Sequence, residues 1–591
     1  MATETMEAAL GRRPFALLVR NVRIVNVFDG SILPGCIGIA GGRIALLGEE
    51  DSSLRAEREV DGRGRYALPG FVDSHMHLES SMLTPAHFAR LALSCGTTSV
   101  AADPHEICNV LGVPGVAALA QACAGLPLRI LLTAPSTVPS APGLEGSGAE
   151  VGPEETERLL DLPGVCGLGE VMDFNGVADG GEHILSVAEA ARRRGVFLDG
   201  HASVLTGRRL QVFRAAGIDS DHTVASAAKL REELALGFTV QVQECVLNAE
   251  LVRAMDEAPV QDRICLVTDD VSLPRLMRRG HLNSVLARAV DLGLDPVRAI
   301  RYATVNPARR LRLYDVGGIA PGMAADLQLV DDLRAPRPSL VVCGGRIVWE
   351  EGRFTAELPR SPLSGALRGT VRLRPQTAAD FAVTCPVREG FRGGTARVNL
   401  IAVDGATTRT RREQTELPLH AAGPGLAEAE TGPYCKMAVC NRYGLDRRGL
   451  ALLSGMDGVT GAAALTYGHD SHNLSVFGRN GGDMAAAANA VREAGGGLCA
   501  VRDGRVTTLV PLPLAGLLSE EEPEALLPRL EAFLEDCRRM GFRHENLLAF
   551  FTIMPLAVSP EIKCTDLGPV DASHRRLLPL IEEIKEISDG T

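Results

Sequence analysis

The sequence predicts an α/β protein with three parts: a TIM-like (β/α)8 barrel, a small β-sandwich domain formed by the segments that flank it, and a C-terminal α+β domain. Three observations carry that prediction. Short apolar runs alternate with amphipathic stretches between residues 71 and 267, the pattern of parallel strands joined by crossover helices. A glycine-punctuated β texture precedes this region and returns after it. Beyond residue 358 the composition turns rich in proline, glycine and arginine before a new mixed region begins.

Residues 15–68 contain ALLVRNVRIVNV, GCIGIAGGRIALLGE and RYALPG, short β runs separated by glycine turns. Residues 316–358 repeat that texture in VGGIAPGMAADLQLVDD and SLVVCGGRIVWEEGRF, so the two segments are expected to pair around what lies between them. Residues 69–315 supply strand runs at 71–76, 98–102, 128–133, 165–168, 196–198, 218–220, 239–242 and 264–267. Between the first two, Thr84-Pro85 caps a helix that continues through AHFARLALSC and stops at Gly96. The same grammar recurs in GGEHILSVAEAARRRG, TGRRLQVFRAAG and VASAAKLREELALG. Eight strands with intervening helices fit a closed parallel barrel; an open doubly wound sheet is the structural alternative. Residues 358–376, LPRSPLSGALRGTVRLRPQ, read as a linker. Residues 377–591 mix β runs such as ARVNLIAV and LCAVRDGRVTTLVPLP with the helix EEPEALLPRLEAFLEDCRRMG.

At 591 residues the chain is too long for one hydrophobic core. Its 61 basic and 73 acidic side chains leave a net charge of −12, which repels nucleic acid and anionic membranes and favours a small-molecule partner. No spanning helix is expected, since no uncharged apolar run of about 18 residues stands out. The start MATETMEAALGRRP lacks a secretory layout, so a cytoplasmic location is expected. The 14 cysteines form no C-x-x-C pair and read as reduced, mostly buried residues.

The stretch GFVDSHMHLESSM places His75 and His77 on one face of the first barrel strand, because side chains at i and i+2 point the same way. Alone, such a pair is more often two satisfied buried histidines than a metal half-site. The other strand ends change that weighting. GLGE puts Glu170 at the end of strand four, LDGH puts His201 at the end of strand five, SDH puts His222 at strand six, and LVTD puts Asp269 at strand eight. Barrel enzymes assemble their sites from these strand ends, so four imidazoles and two carboxylates converge on one mouth. After strand two, ADPHE carries Asp103, His105 and Glu106, which either turn the chain into a helix or reach the site. HDSHN, with His469, Asp470 and His472, is either a polar turn or a cover presented to it.

These residues carry a resemblance to the amidohydrolase superfamily. Within it, LPGFVDSHMHLESSM, GTTSVAADPHEICNVLG, GLGEVMDF, AAGIDSDH, CLVTDD and RYATVNPA resemble the adenine deaminase family. ALTYGHDSHNLSVFG, GGDMAAAANAVREAGGGL and DGRVTTLVPLPLAGLLS resemble the extra domain that this family carries. The resemblance implies a binuclear divalent metal site, manganese or iron with zinc as a further option. His75, His77 and Asp269 would hold one ion, His201 and His222 the other, and Glu170 would bridge them. It implies hydrolytic deamination of adenine to hypoxanthine and ammonia by a metal-activated hydroxide attacking C6, with Asp269 and Glu170 catalytic. It also implies a purine base as partner and a homo-oligomer, a dimer or larger; as substrate-binding candidates, Asp103, His105 and Glu106 would reach the base edge or the groups behind the metal ligands, and His469, Asp470 and His472 would be presented as a cover.

Departures from the family pattern fall near the pocket: Ser203 and Val204 after His201, Thr223 after His222, Gln243 and Cys245 at the end of strand seven, and Asn175. They leave open an N6-substituted or otherwise modified purine. A hydantoinase-like cyclic amidase is the other hydrolase reading. A base-editing deaminase is disfavoured because His77-Leu78-Glu79 lacks its P-C-x-x-C partner. A non-catalytic binding protein on a decayed barrel would be expected to have lost a ligand.

Overall fold

The computed structural model describes residues 2–359, 363 and 365–586. Residues 360–362 and 364 of the expected linker, and the last five residues of the chain, lie outside the described residues. The chain divides into two compact units, one of Met1–Pro104, Leu119–Thr137 and Gly152–Pro362, the other of His105–Ala118, Val138–Val151 and Leu363–Thr591.

The first unit begins with β1 (Phe15–Val25), β2 (Ile32–Ala40), β3 (Arg43–Gly48) and β4 (Ala56–Pro69). β1 pairs antiparallel with β2 and parallel with β4, and β2 turns into β3 through Gly41-Gly42, both at positive φ, where glycine carries no Cβ penalty.

Each sequence run predicted as a barrel strand meets an observed strand, although the run 218–220 does so only at Ser220, since Ile218 and Asp219 lie ahead of the strand. β5 (Phe71–His77), β6 (Thr97–Ala102), β7 (Arg129–Ala134), β8 (Val165–Val171) and β9 (Phe197–Gly200) pair in parallel and in order. β10 (Ser220–Asp221), β11 (Thr239–Val242) and β12 (Ile264–Leu266) form a three-stranded parallel sheet. β13 (Asp269–Asp270) follows β12 after two residues and pairs with the free edge of β5, Asp269 opposite Met76 and Asp270 opposite His77. The order is therefore β13-β5-β6-β7-β8-β9 and β10-β11-β12, a curled parallel sheet in two hydrogen-bonded pieces. One backbone bond, Asp219 N to Leu198 O at 3.3 Å, links the approach to β10 with β9. β5 is buried on both faces, as a parallel strand covered by helices must be.

The helices start and stop where local chemistry directs. Helix Pro85–Ser94 has Thr84 as its N-cap, accepting from His87 N at 3.4 Å, and ends ahead of Gly96 at φ +82°. The expectation that no long uncharged apolar run exists needs correction: residues 107–128 carry no charged side chain. They build most of helix His105–Cys123, which by length and hydropathy alone could cross a membrane. That helix is broken at Gly112 (φ 61°, ψ −148°), contains Pro114, and is largely buried within the protein.

After the parallel region come β14 (Leu327–Val330), β15 (Pro338–Cys343), β16 (Arg346–Glu350) and β17 (Arg353–Phe354). β14 pairs antiparallel with β4, Leu327 opposite Pro69 and Val330 opposite Tyr66. The two flanking segments thus join in one eight-stranded sheet, β17-β16-β15-β14-β4-β1-β2-β3, whose Leu17, Val19, Ile37, Ile44, Leu327 and Leu340 share an apolar cluster.

The second unit is built on an eleven-stranded sheet. Its strands include β18 (Thr384–Pro386), β19 (Gly394–Val403), β20 (Thr410–Gly423), β21 (Leu426–Ala429), β22 (Cys435–Cys440), β23 (Arg448–Ser454), β24 (Ala462–Leu465), β25 (Leu474–Gly478), β26 (Gly497–Arg502) and β27 (Arg505–Pro511). Helices Gly481–Glu493 and Pro523–Arg539 pack against its β24–β27 side.

Candidate metal centre

The six residues singled out at strand ends meet in the first unit. His75 and His77 project from β5, Glu170 from β8, and Asp269 from β13, while His201 and His222 directly follow β9 and β10. Asp269 Oδ1 lies 3.2 Å from both His75 Nε2 and His77 Nε2. Glu170 faces two ways: Oε1 is 3.3 Å from His77 Nε2, while Oε2 is 2.7 Å from His201 Nδ1 and 3.2 Å from His222 Nε2. The His75 and His222 rings stack at 3.8 Å between centroids. His75, His77, Glu170 and His222 are buried, whereas the side chains of His201 and Asp269 keep 32% and 20% of their exposure, so the centre opens on their side.

Asp269 reaches the histidine pair because the last strand is interrupted. Thr268 Oγ1 donates to Asp73 Oδ2 at 2.6 Å, which turns the chain between β12 and β13, and Asp269 takes φ +56°. Burial pushes the Asp73 carboxyl up to about 7.

The electrostatics favour a cation. Burial would raise the carboxyls of Glu170 and Asp269, yet the surrounding imidazoles hold both well below the usual carboxylate range. Burial would likewise lower His75 and His77, but Asp199, Asp269 and Glu170 hold them well above the usual imidazole range. Imidazole nitrogens and carboxylate oxygens here stand 2.7–3.3 Å apart, a spacing compatible with shared ions bonded at about 2.0–2.2 Å. The ligand atoms fall into three overlapping groups, His75–His77–Glu170, His75–His222–Asp269 and Glu170–His201–His222, each within 4.8 Å. His222 Nδ1 is buried without a hydrogen-bond partner. Mixed imidazole and carboxylate donors in this arrangement fit divalent metal binding.

Asp199 is the residue that sequence reasoning missed. Its Oδ2 stands 2.7 Å from His75 Nδ1, and its Oδ1 accepts from Gln241 Nε2 at 2.8 Å and from Ser220 Oγ. Burial opposes its ionisation, but the His75 charge outweighs it and draws the Asp199 carboxyl down to about 2. A signal existed: in LDGH, Asp199 and His201 alternate on one face, as Asp73 and His75 do.

The remaining expected site residues are distributed as follows. Asp103 Oδ2 accepts from Glu170 N at 2.7 Å and its carbonyl faces His77 Nδ1 at 3.1 Å, so it braces two of the six. His105, Glu106, His469, Asp470 and His472 lie together in the second unit. Thr223 Oγ1 donates to Asp221 Oδ1 at 2.6 Å and accepts from Ser203 N at 2.7 Å, so two of the departures tie together the loops that carry His201 and His222. Val204 is exposed, Cys245 Sγ lies 3.0 Å from Gln243 Oε1, and Asn175 accepts from Arg209 at 2.9 Å.

Comparison with known proteins places this chain among relatives. Residues 66–348 match the amidohydrolase family, and residues 407–576 match the adenine deaminase C-terminal domain. The chain is 36% identical to adenine deaminase from Moorella thermoacetica, over 98% of each chain. It is 37% identical to adenine deaminase from Syntrophobacter fumaroxidans over 98% of each, and 36% identical to that of Serratia proteamaculans over 98% of this chain and 96% of the relative.

Proposed function

Since this chain belongs to the adenine deaminase family of amidohydrolases, we propose that its six-residue centre catalyses the hydrolytic deamination of adenine to hypoxanthine and ammonia. The observation that carries the reading is Glu170, whose two carboxylate oxygens face His77 on one side and His201 with His222 on the other. An acid that faces both ways suits a pair of divalent cations, of which His75, His77 and Asp269 would hold one and His201 and His222 the other. When bound, such a pair supplies positive charge that brings the pKa of water towards neutrality. Asp269, partly exposed and beside His75 and His77, accepts the first water proton and delivers it to a ring nitrogen as the C6–O bond forms, then carries the second proton from the C6 hydroxyl to the amino group, which leaves as ammonia when the C6–N bond breaks. Glu170 fixes the spacing of the two histidine groups, and Asp103 and Asp199 hold Glu170 and His75 in place.

Several finer assignments belong to the same reading. The metal is manganese or iron, with zinc as an alternative. The parallel region is a closed (β/α)8 barrel spanning 69–315, flanked by a small β domain of 15–68 and 316–358 and followed by a C-terminal domain of 377–591. The protein is cytosolic, which its free cysteines support, and it assembles as a homo-oligomer.

The test is ammonia release and loss of adenine absorbance with manganese- or iron-loaded protein. No turnover of adenine at micromolar enzyme overturns the reading. A profile over adenine and N6-methyladenine separates the unsubstituted from the N6-substituted purine; turnover of cyclic amides alone would point to an amidase instead.

A further inference from the structure

The second unit contains another set of ligand-type side chains. His105 and Glu106 open helix His105–Cys123, and His469, Asp470 and His472 lie in the loop between β24 and β25. All but His469 are buried. Glu106 spreads its carboxylate between two imidazoles, Oε1 meeting His469 Nδ1 and Oε2 meeting His472 Nε2. His105 Nε2 lies 3.8 Å from Glu106 Oε1 and 3.6 Å from Asp470 Oδ1, and His469 Nδ1 lies 3.9 Å from Asp470 Oδ1. One ligand atom from each of His105, Glu106, His469 and Asp470 falls within 4.8 Å of the other three.

We propose that His105, Glu106, His469 and Asp470 bind one divalent cation of zinc size, with His472 orienting Glu106. Ligand atoms of a tetrahedral ion with bonds of about 2.0–2.2 Å stand roughly 3.3–3.6 Å apart, close to the separations from His105 and Asp470. Asp470 Oδ2 and His472 Nδ1 are buried without hydrogen-bond partners among the described residues, and a buried polar atom is costly unless something pairs with it. Four protein ligands close the coordination sphere, which marks a structural rather than a catalytic ion. Bound there, the ion would pin the 466–473 loop to the start of helix His105–Cys123.

The inference goes beyond the deamination reading and is tested by a metal count, which does not depend on the substrate. Full-length holoenzyme is dialysed against metal-free buffer and its zinc, manganese and iron are measured per chain. The expected result is one cation more than the first centre holds. That extra equivalent disappears in Glu106→Gln and in His469→Gln and persists in the double variant His201→Asn/His222→Asn. Cobalt-substituted wild type should show the intense visible bands of four-coordinate cobalt, and those bands should survive the His201→Asn/His222→Asn exchange. The proposal is overturned if the wild-type count matches the first centre alone. It is equally overturned if Glu106→Gln raises KM for adenine while leaving the count and the cobalt bands unchanged, the result expected of groups that contact the base.

Discussion

Replacing Asp199 by asparagine tests how the protein decides which nitrogen of His75 is free to bind a cation. Asp199 Oδ2 accepts the Nδ1 proton of His75 at 2.7 Å, leaving Nε2 unprotonated and directed at Asp269. Asparagine keeps one oxygen to accept from Gln241 and Ser220, which turns its amide NH2 toward His75. His75 Nδ1 must then accept, and the proton moves to Nε2, where it blocks ligation. A buried hydrogen bond to a charged group is worth about 1.5–3 kcal/mol, which corresponds to roughly 10- to 150-fold in affinity. That range agrees with the roughly 10- to 100-fold cost of removing a partner behind a metal-bound histidine. The assay is competition with a chelator of known affinity, run beside kcat at saturating metal. Asp199→Asn should bind metal more weakly than Asp199→Ala, because alanine removes the acceptor without imposing the wrong tautomer. Equal metal affinity in wild type and Asp199→Asn would refute the reasoning.

Two further outcomes follow from other parts of the molecule. A Cβ at Gly169 would stand 2.2 Å from the Asp103 carboxylate that accepts from Glu170 N. Gly169→Ala should therefore destabilise the protein by about 1–3 kcal/mol and weaken metal binding, and wild-type values for Tm and metal affinity together would contradict it. Lys563 is fully buried, donates to Thr408 O at 2.8 Å, and is pushed down to about 8 by burial. Between there and the unfolded value of about 10.4 the unfolded chain binds more protons than the folded one, so stability rises with pH across that window and is lost as pH falls through the folded value. Lys563→Met should exceed wild type in Tm near neutral pH, with the gap narrowing at high pH; a pH-independent gap would refute the burial argument.

Period and polarity made much of this legible from sequence. Runs such as 71–76 and 98–102 became strands because a strand covered on both faces must be continuously apolar, and strand-end histidines converge because parallel strands share one polarity. What depends on pairing over long distances was not legible. Asp199 lies 124 positions from His75, and only the order β5-β6-β7-β8-β9 with a curled sheet brings them together. Asp103 reads as a helix cap, but helix His105–Cys123 has Pro104 at its N-cap with no side-chain bond, and the carboxylate turns instead to Glu170. The uncharged run at 107–128 is hard to read as one apolar stretch because its glycines, prolines, asparagine and glutamine dilute it, and one of them, Gly112, breaks the helix it forms.

The ladder between β4 and β14 sets a schedule for biosynthesis. Pro69 and Gln328, which meet there, are 259 positions apart, so at about 5–20 residues per second the ribosome needs roughly 10–50 s to deliver the second after the first. Throughout that interval the nascent chain carries a strand with one edge open to any passing β-segment. Premature termination before residue 327 would make that exposure permanent, so such fragments should enter inclusion bodies or be cleared by proteases rather than persist as shorter enzymes.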